Sequence, residues 1–231
     1  LSAVMQKCTA KKKIEQIEFY GGQAHLVDRS DQIYAESHRL AKELNGHYMD
    51  QFTYAERATD WRGNNNIANS IFSQMKLEDN PIPKWVVMSP GTGGTSATIG
   101  RFIRYQQHST KLCVVDPENS VFHDFFKTGN PELKGNCGSK IEGIGRPRVE
   151  PSFIPGVIDE MRTIPDAASV ATAHWLEKIL GRKVGASTGT NLYGALQIAS
   201  EMKARGETGS IVTLLCDSGE RYLDTYYNSD W

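Results

Sequence analysis

Apolar positions along the chain alternate between two spacings, and this alternation predicts a parallel sheet covered by helices. Three runs are apolar at nearly every position: WVVM at 85–88, LCVV at 112–115 and IVTLL at 211–215. A strand that is buried on both faces has this pattern, so each run is predicted in the middle of a parallel sheet. Helical patterns lie between them, near 95–107, 166–180 and 191–204. The predicted fold class is therefore α/β, with a large domain of three layers around a parallel sheet.

The start of the chain carries a smaller unit with the same alternation. The pattern predicts strands at 2–5 and 25–27, helices from Thr9 to Gly21 and from Asp31 to Leu44, and an extended segment at 47–52. This βαβαβ order predicts part of a small α/β domain over residues 1–52. Because the first residue is Leu1 and an apolar run begins with no turn or cap before it, we expect an N-terminal truncation.

A polar stretch at 53–83 separates the two units, with one helical pattern from Asn66 to Met75. We expect it to be a crossover, and the large domain is predicted to include it and to span 53–231. Four residues of the stretch have two open interpretations, closure over an active site or a surface helix with an ion pair: Arg57, Asp60, Trp61 and Arg62.

The overall composition excludes several classes of protein. Hydrophobic residues make up 39% of the 231 residues and charged residues 23%, which indicates an ordinary globular protein. The net charge of −1 argues against a nucleic-acid partner. No apolar run approaches the ~18 residues of a membrane span.

Four cysteines occur with no CxxC pair and no histidine at metal-ligand spacing: Cys8, Cys113, Cys137 and Cys216. We therefore expect reduced thiols, no metal site and a cytoplasmic protein.

The most informative segment is VVMSPGTGGTSATIG at 86–100, an apolar strand that leads through a glycine loop into a helical pattern. A helix start of this kind presents backbone N–H groups to an anion, usually a phosphate. No Gly-Lys-Ser/Thr follows, so the segment is not a P-loop, and Ser96 stands where a dinucleotide motif needs its third glycine. A single terminal phosphate fits this loop, and a plain tight turn is the alternative.

Three further segments combine glycine with polar side chains: KIEGIG at 140–145, GASTGTN at 185–191 and CDSGERY at 216–222. The loops that follow parallel strands gather at one edge of a sheet, where ligands bind. Four such segments on one sheet favour a binding site over simple turns.

Together, four motifs resemble the cysteine synthase family in order and approximate spacing: GTGGT, KIEGIG, GASTG and DSGERYLDT. This family contains the pyridoxal-phosphate enzymes of fold type II, the tryptophan synthase β type. The resemblance covers essentially the whole chain. It implies pyridoxal 5'-phosphate as cofactor, a small amino-acid substrate and a homodimer.

The resemblance also implies roles for individual residues. The phosphate cradle corresponds to Gly91, Thr92, Gly93, Gly94 and Thr95. Ser218 corresponds to the serine that hydrogen-bonds the pyridine nitrogen of the cofactor. Substrate or ring contacts correspond to Gln51, Gly143, Ile144, Ser187 and Thr188, with Gly145 in the same loop as Gly143.

The lysine that forms the Schiff base in this family is expected upstream of Leu1, as is the loop that grips the substrate carboxylate. Lys140 begins a matching loop but corresponds to no Schiff-base position. No catalytic residue is therefore predicted within the chain, and as given we expect it to be inactive alone.

The segment after Gln51-Phe52 indicates a branch of the family. Ordinary cysteine synthases continue with an NPANP-like sequence, whereas this chain continues with TYAERATDWRGNNN. The latter resembles the branch of L-cysteine desulfhydrases, which implies β-elimination on L-cysteine to hydrogen sulfide, pyruvate and ammonia. The alternative is a cysteine synthase that joins sulfide to O-acetylserine or O-phosphoserine.

Two alternatives come from other classes. One is a non-catalytic module that only binds a ligand or a protein. The other is a nucleotide-binding Rossmann domain, which Ser96 disfavours, although Asp116 and Glu118 stand about 20 residues downstream, where ribose recognition requires an acidic residue. His174 is predicted to be a packed or surface helix residue, not a base.

Overall fold

The structure, a computed structural model, describes residues 1–9, 11–29, 32–63, 65–135 and 138–231. Asp31, where a helix was predicted to begin, and Cys137 lie outside these ranges. The chain divides into two compact units, Leu1–Asp50 and Gln51–Trp231. In the described ranges, no helix combines the length and apolar character needed to cross a membrane.

The smaller unit contains two parallel strands and two helices. Strand β1 (Ser2–Gln6) pairs in parallel with β2 (Gln23–Val27). Helix α1 (Lys11–Phe19) follows β1, and helix α2 (Gln32–Glu43) follows β2.

The extended segment predicted at 47–52 is wrong. Residues 47–50 have no regular structure, and Gln51–Tyr54 forms a short helix, α3, in the larger unit. Asp50 adopts a φ of +42°, a left-handed conformation that interrupts an extended path. The alternating side chains of HYMDQF therefore do not continue into a third strand.

The larger unit is built on a parallel sheet, which confirms the predicted α/β class. Its strands follow the order β5-β4-β3-β6, and every pairing is parallel. The strands are β3 (Trp85–Met88), β4 (Lys111–Pro117), β5 (Glu160–Ile164) and β6 (Ile211–Thr213).

Helices cover both faces of this sheet because alternate residues of β3 and β4 face opposite sides. Val86 and Met88 pack with α4 (Ile67–Met75) and α5 (Gly94–Tyr105). Trp85 and Val87 pack with α8 (Ala186–Ala204), against which α7 (Asp166–Leu180) lies. Helix α6 (Phe122–Thr128) follows β4.

Two predicted elements need correction. The run at 211–215 was predicted in the middle of the sheet, but β6 contains only Ile211–Thr213 and pairs in the described part of the chain with β3 alone, so its residues are only half-buried. The last helix begins at Ala186 and not near residue 191. Strand β5 and helix α6 were not predicted.

Candidate functional site

The segment after β3 forms an open loop that ends at the first turn of α5. Gly93 caps the helix with a φ of +93°, a conformation that favours glycine. The Ala97 N–H is bonded to the Gly93 carbonyl at 2.9 Å, and the N–H groups that precede it in the first turn have no partner within the helix. This geometry can bind an anion at the helix start.

The three glycines of the loop allow other backbone segments to approach it closely. A Cβ on Gly93 would lie 2.6 Å from Phe153 Cα, and one on Gly94 would lie 2.9 Å from the Ala55 carbonyl oxygen. A Cβ on Gly91 would lie 2.7 Å from the Gly143 carbonyl oxygen. Larger residues would therefore push the loop away from its neighbours.

The loop lines a cavity of about 430 Å³, which we name the glycine-loop cavity. It brings together all five predicted phosphate residues with Gln51, Gly143 and Ile144 of the predicted substrate residues. Phe52, Met88, Ser89, Pro90 and Arg146 complete its lining.

The glycine-loop cavity fits the phosphate end of pyridoxal phosphate. Thr92, Thr95 and the glycines before the first helical turn line one space. Ser89 is 7% exposed, and its Oγ has no hydrogen-bond partner in the part of the chain that the structure describes. A buried hydroxyl without a partner costs free energy, which a bound ligand that accepts or donates a hydrogen bond would recover.

The 3-10 turn Ala55–Arg57, which directly follows the helix α3 that carries Gln51, is fixed to α5 by the buried side chain of Glu56. Its Oε2 lies 2.5 Å from Arg101 Nη1, and its carbonyl oxygen accepts from the same nitrogen at 2.7 Å. Hydrogen bonds from Arg57 and Arg101 lower the pKa of the Glu56 carboxyl. The wall of the cavity that contains Gln51 is therefore held against the helix that carries the glycine loop.

Trp61 and Arg62 lie at the other end of α5. The Trp61 ring contacts the ring of Tyr105, the last residue of the helix, with centroids 5.4 Å apart. Arg62 stacks over Trp61 at 4.0 Å. Since ten residues of helix separate Tyr105 from Thr95, about 15 Å along the axis, these two residues do not line the glycine-loop cavity.

The GASTG segment is helical, not the loop that the sequence predicted. Ser187 and Thr188 are buried in the first turn of α8. Thr188 Oγ1 accepts a hydrogen bond from the Cys216 backbone N–H at 3.0 Å, which ties α8 to the segment after β6. The surrounding protein desolvates the Cys216 thiol and raises its pKa, although the residue as a whole is exposed, and hydrogen bonds from Ser187 and Thr188 partly oppose the rise.

Ser218 lines a second cavity, of about 360 Å³, together with Val184, Cys216 and Asp217. Its Oγ accepts from the Glu220 N–H at 3.3 Å and caps the short 3-10 turn Gly219–Tyr222. The glycine-loop cavity does not include Ser218, Ser187 or Thr188 among the described residues that line it. The roles of these three residues stay predictions.

Sequence reasoning missed Ser89 and Arg146 as residues of the cavity. Arg146 directly follows the KIEGIG motif, so its position in the sequence was a usable signal. Its place in the cavity wall depends on contacts with Glu150 and Phe52, which no local pattern predicts.

Cys8, Cys113 and Cys216 are free thiols. His174 lies on α7, where its Nε2 is hydrogen-bonded to the Tyr226 carbonyl at 2.7 Å, so it is a packed helix residue as predicted.

Comparison with known proteins gives a family match and several relatives. A profile of the family described as "Pyridoxal-phosphate dependent enzyme" matches residues 1–217. L-cysteine desulfhydrase Cds1 of Mycobacterium tuberculosis is 59% identical over 229 residues, which cover 99% of this chain and 62% of that protein. Cysteine synthase 2 of Schizosaccharomyces pombe is 28% identical over 213 residues, 85% of this chain and 51% of that protein.

A solved structure has the same fold. The crystal structure of O-ureido-L-serine synthase superposes with a TM-score of 0.78 over 97% of this chain and 67% of that one, at 22% identity. The chain thus spans less than two thirds of the length of the curated relatives named above.

Proposed function

Because this chain belongs to the family of pyridoxal-phosphate-dependent enzymes, we propose that the protein is an L-cysteine desulfhydrase, which releases hydrogen sulfide, pyruvate and ammonia from L-cysteine. The observation that carries the proposal is the 59% identity to L-cysteine desulfhydrase Cds1 over nearly the whole chain. The cysteine synthases compared are more distant, at 25–30% identity.

In this proposal the phosphate of the cofactor binds to the glycine loop. The backbone N–H groups at the start of α5 and the hydroxyls of Thr92 and Thr95 hold it, and Ser89 supplies a further hydroxyl. The helix dipole favours the negative charge at this place. When bound, pyridoxal phosphate supplies an electron-withdrawing ring that makes the α-carbon proton of the substrate acidic.

The walls of the glycine-loop cavity orient the substrate. The Gln51 side chain offers an amide to the polar groups of an amino acid, and the turn that follows its helix is fixed to α5 by Glu56. Gly143 and Ile144 line the cavity from a loop whose Gly145 N–H donates to the Pro90 carbonyl at 2.9 Å. The two loops therefore hold a constant spacing, which favours a preorganised site.

Two serines are candidates for the hydroxyl at the pyridine nitrogen. Ser218 is the residue that the resemblance indicates, and Ser187, with Thr188, was expected near the ring. Ser218 is exposed and lines a cavity, so its hydroxyl is accessible to a ligand, whereas Ser187 is 7% exposed, lines neither of the two cavities among the described residues and hydrogen-bonds the Cys216 thiol. Ser218 is therefore the stronger candidate.

We assign the lysine that bonds the cofactor to no residue of this chain. None of the described residues that line the glycine-loop cavity is a lysine. Reduction of the holoenzyme with borohydride, followed by peptide mapping, should leave the lysines of residues 1–231 unmodified. A cofactor attached to Lys140 would overturn this part of the proposal.

The test of the function is an assay of the purified holoenzyme with L-cysteine. We expect stoichiometric release of sulfide and pyruvate. If the protein instead forms cysteine from sulfide and O-acetylserine or O-phosphoserine with little pyruvate, it is a cysteine synthase. If it binds no pyridoxal phosphate, the non-catalytic module is supported.

We also propose a cytoplasmic homodimer. The free thiols of Cys8, Cys113 and Cys216 support a reducing location. Sedimentation equilibrium would give a mass of two chains, and a single-chain mass would contradict the dimer.

A further inference from the structure

We propose that two adjacent tyrosines, Tyr226 and Tyr227, position the two ends of the cofactor site, each through its hydroxyl group. The inference rests on the proposed function, because it assigns positioning residues to the same site. Both residues belong to the segment YLDTYY at 222–227, which we name the tyrosine segment. This segment lies beyond residues 1–217, which the family profile matches.

The Tyr226 hydroxyl bridges the KIEGIG loop just before the residues that line the glycine-loop cavity. It accepts a hydrogen bond from the Glu142 N–H at 2.7 Å and donates one to the Lys140 carbonyl at 2.8 Å. Tyr226 is buried in one apolar cluster with Ile141 and Ile144. Burial raises the pKa of Tyr226 to about 12, so the hydroxyl stays protonated and continues to donate at neutral pH.

The loop that this hydroxyl holds supports the phosphate end of the site. Gly143, the next residue after Glu142, lines the glycine-loop cavity. Its carbonyl oxygen would lie 2.7 Å from a Cβ on Gly91, and the Gly145 N–H donates to the Pro90 carbonyl at 2.9 Å. A displacement of the loop would therefore move the backbone that is proposed to bind the phosphate.

The Tyr227 hydroxyl makes the same pair of bonds at the other end of the site. It accepts from the Val184 N–H at 3.1 Å and donates to the Val184 carbonyl at 2.7 Å. Val184 pairs with Ser218 in an antiparallel bridge, and both residues line the second cavity. The Tyr227 hydroxyl therefore fixes the backbone beside Ser218, the stronger candidate for the hydroxyl at the pyridine nitrogen.

Contacts within the tyrosine segment fix the two tyrosines relative to each other. The Tyr227 N–H donates to the Tyr222 carbonyl at 3.2 Å, and the ring centroids of Tyr222 and Tyr226 lie 5.0 Å apart. The Tyr226 carbonyl is hydrogen-bonded to His174 Nε2 of α7 at 2.7 Å. Since successive residues hold two different walls, the segment sets the spacing between the phosphate end and the nitrogen end of the site.

The test compares Tyr226→Phe with Tyr227→Phe, and Tyr193→Phe is the control. Each variant removes one hydroxyl and retains the ring, and Tyr193 packs with Trp85 and Val87 and lines neither cavity. Titration of the apoenzyme gives the affinities for pyridoxal phosphate and for pyridoxal, and the absorption of the bound cofactor is recorded in the holoenzyme. Urea unfolding separates a loss of stability from a loss of position.

We expect Tyr226→Phe to lower the preference for pyridoxal phosphate over pyridoxal by about 3- to 10-fold, because a buried hydrogen bond that fixes the phosphate end is lost. Tyr227→Phe should retain this preference and instead shift the absorption of the bound cofactor, because the backbone beside Ser218 is released. Tyr193→Phe should match the wild type in both measurements.

Two results would overturn the inference. One is the same change in preference and absorption for Tyr226→Phe and Tyr227→Phe, which would indicate a general loss of packing. The other is a preference and an absorption like those of the wild type in both variants, which would show that the hydroxyls do not position the site.

Hydrogen exchange of the backbone amides distinguishes a failure of the inference from a failure of the proposed function, because it requires no cofactor. The Glu142 amide should exchange faster in Tyr226→Phe alone, and the Val184 amide in Tyr227→Phe alone. If the wild type binds no pyridoxal phosphate but both amides respond in this way, the cofactor proposal fails and the positioning of the two walls is supported. Unchanged exchange of both amides would overturn the inference.

Discussion

The starts of α5 and α8 have nearly the same composition but use it differently. Both combine glycine with serine and threonine where a helix begins. At α5 the glycines precede or open the helix, and the loop lines a cavity. At α8 Gly185 precedes the helix but Gly189 lies inside it, where a Cβ would lie 1.9 Å from the Ser169 carbonyl oxygen.

The hydroxyls differ in the same way. Thr92 and Thr95 face the glycine-loop cavity, whereas the Thr190 hydroxyl hydrogen-bonds Ser169 Oγ at 2.8 Å and the Ala186 carbonyl at 3.2 Å. Glycine and hydroxyl residues at a helix start thus serve ligand binding in one place and helix packing in the other. Composition alone does not distinguish the two uses.

The largest expected effect is on the packing side of this comparison. In Gly189→Ala the new methyl group would overlap the Ser169 carbonyl, so α7 and α8 must separate. We expect the free energy of unfolding to fall by roughly 4 kcal/mol, more than offsetting the better helix propensity of alanine. Urea unfolding measures this.

Gly156→Ala is the matched control, since a Cβ there meets no atom within 4 Å and should change stability by less than about 1 kcal/mol. A Gly189→Ala variant as stable as the wild type would contradict the packing role.

The end of β4 provides a third case for the comparison, because a buried carboxylate there accepts a hydrogen bond from the backbone of the following segment. Asp116 is fully buried, and its Oδ2 accepts from the His123 N–H at 2.9 Å. Burial raises the pKa of Asp116 to about 7. In the unfolded chain the group loses its proton near pH 4, so between pH 4 and 7 only the folded state retains it, and stability falls as the pH rises through this window.

Asp116→Asn should abolish this dependence. Between pH 5 and pH 8, the wild type should lose roughly 3 kcal/mol of unfolding free energy relative to the variant. Urea unfolding at the two pH values tests the difference. A constant difference would show that the buried carboxyl does not titrate in this range.

On the ligand side of the comparison, Thr95→Val should weaken pyridoxal phosphate binding by about 10- to 100-fold, because a hydrogen bond to a charged group is lost. Thr98→Val is the control, since the Thr98 hydroxyl bonds the Gly94 carbonyl of its own helix at 2.9 Å and does not line the cavity. Titration of the apoenzyme gives both affinities. Equal losses of affinity in the two variants would contradict specific binding of the phosphate by the glycine loop.

The smallest effect concerns the pyridine nitrogen. We expect Ser218→Ala to shift the absorption of the bound cofactor and to lower kcat several-fold, with Ser187→Ala close to the wild type. The reverse result would assign the nitrogen to Ser187. If neither variant changes the absorption or kcat, neither serine contacts the pyridine nitrogen.

The sequence predicted best those elements whose residues are apolar on both faces. WVVM gave β3 with the correct ends because two neighbouring strands and helices on both faces bury all four residues. Strand β5 was missed because EMRTI alternates polar residues with only Met161 and Ile164 buried. The start of α8 was missed because the partners of the Thr190 hydroxyl are the Ala186 carbonyl of its own helix and Ser169 Oγ of α7, which no local pattern shows.

Within the candidate site, the motifs GTGGT and KIEGIG were sufficient to predict the glycine loop, Gly143 and Ile144. These residues line one cavity. Arg146 was not found, because its position depends on Glu150 and on Phe52, a residue far away in the sequence. Local sequence patterns predict backbone geometry, whereas the position of a long charged side chain depends on its tertiary contacts.

The central claim is that the glycine loop holds the phosphate of pyridoxal phosphate. The most direct measurement compares the affinities for pyridoxal phosphate and for pyridoxal, which lacks the phosphate, in the wild type and in the double variant Thr92→Val/Thr95→Val. We predict that the wild type prefers the phosphorylated form and that this preference falls by about 10-fold or more in the variant, with pyridoxal binding unchanged. An unchanged preference, or an equal loss for both compounds, would contradict the claim.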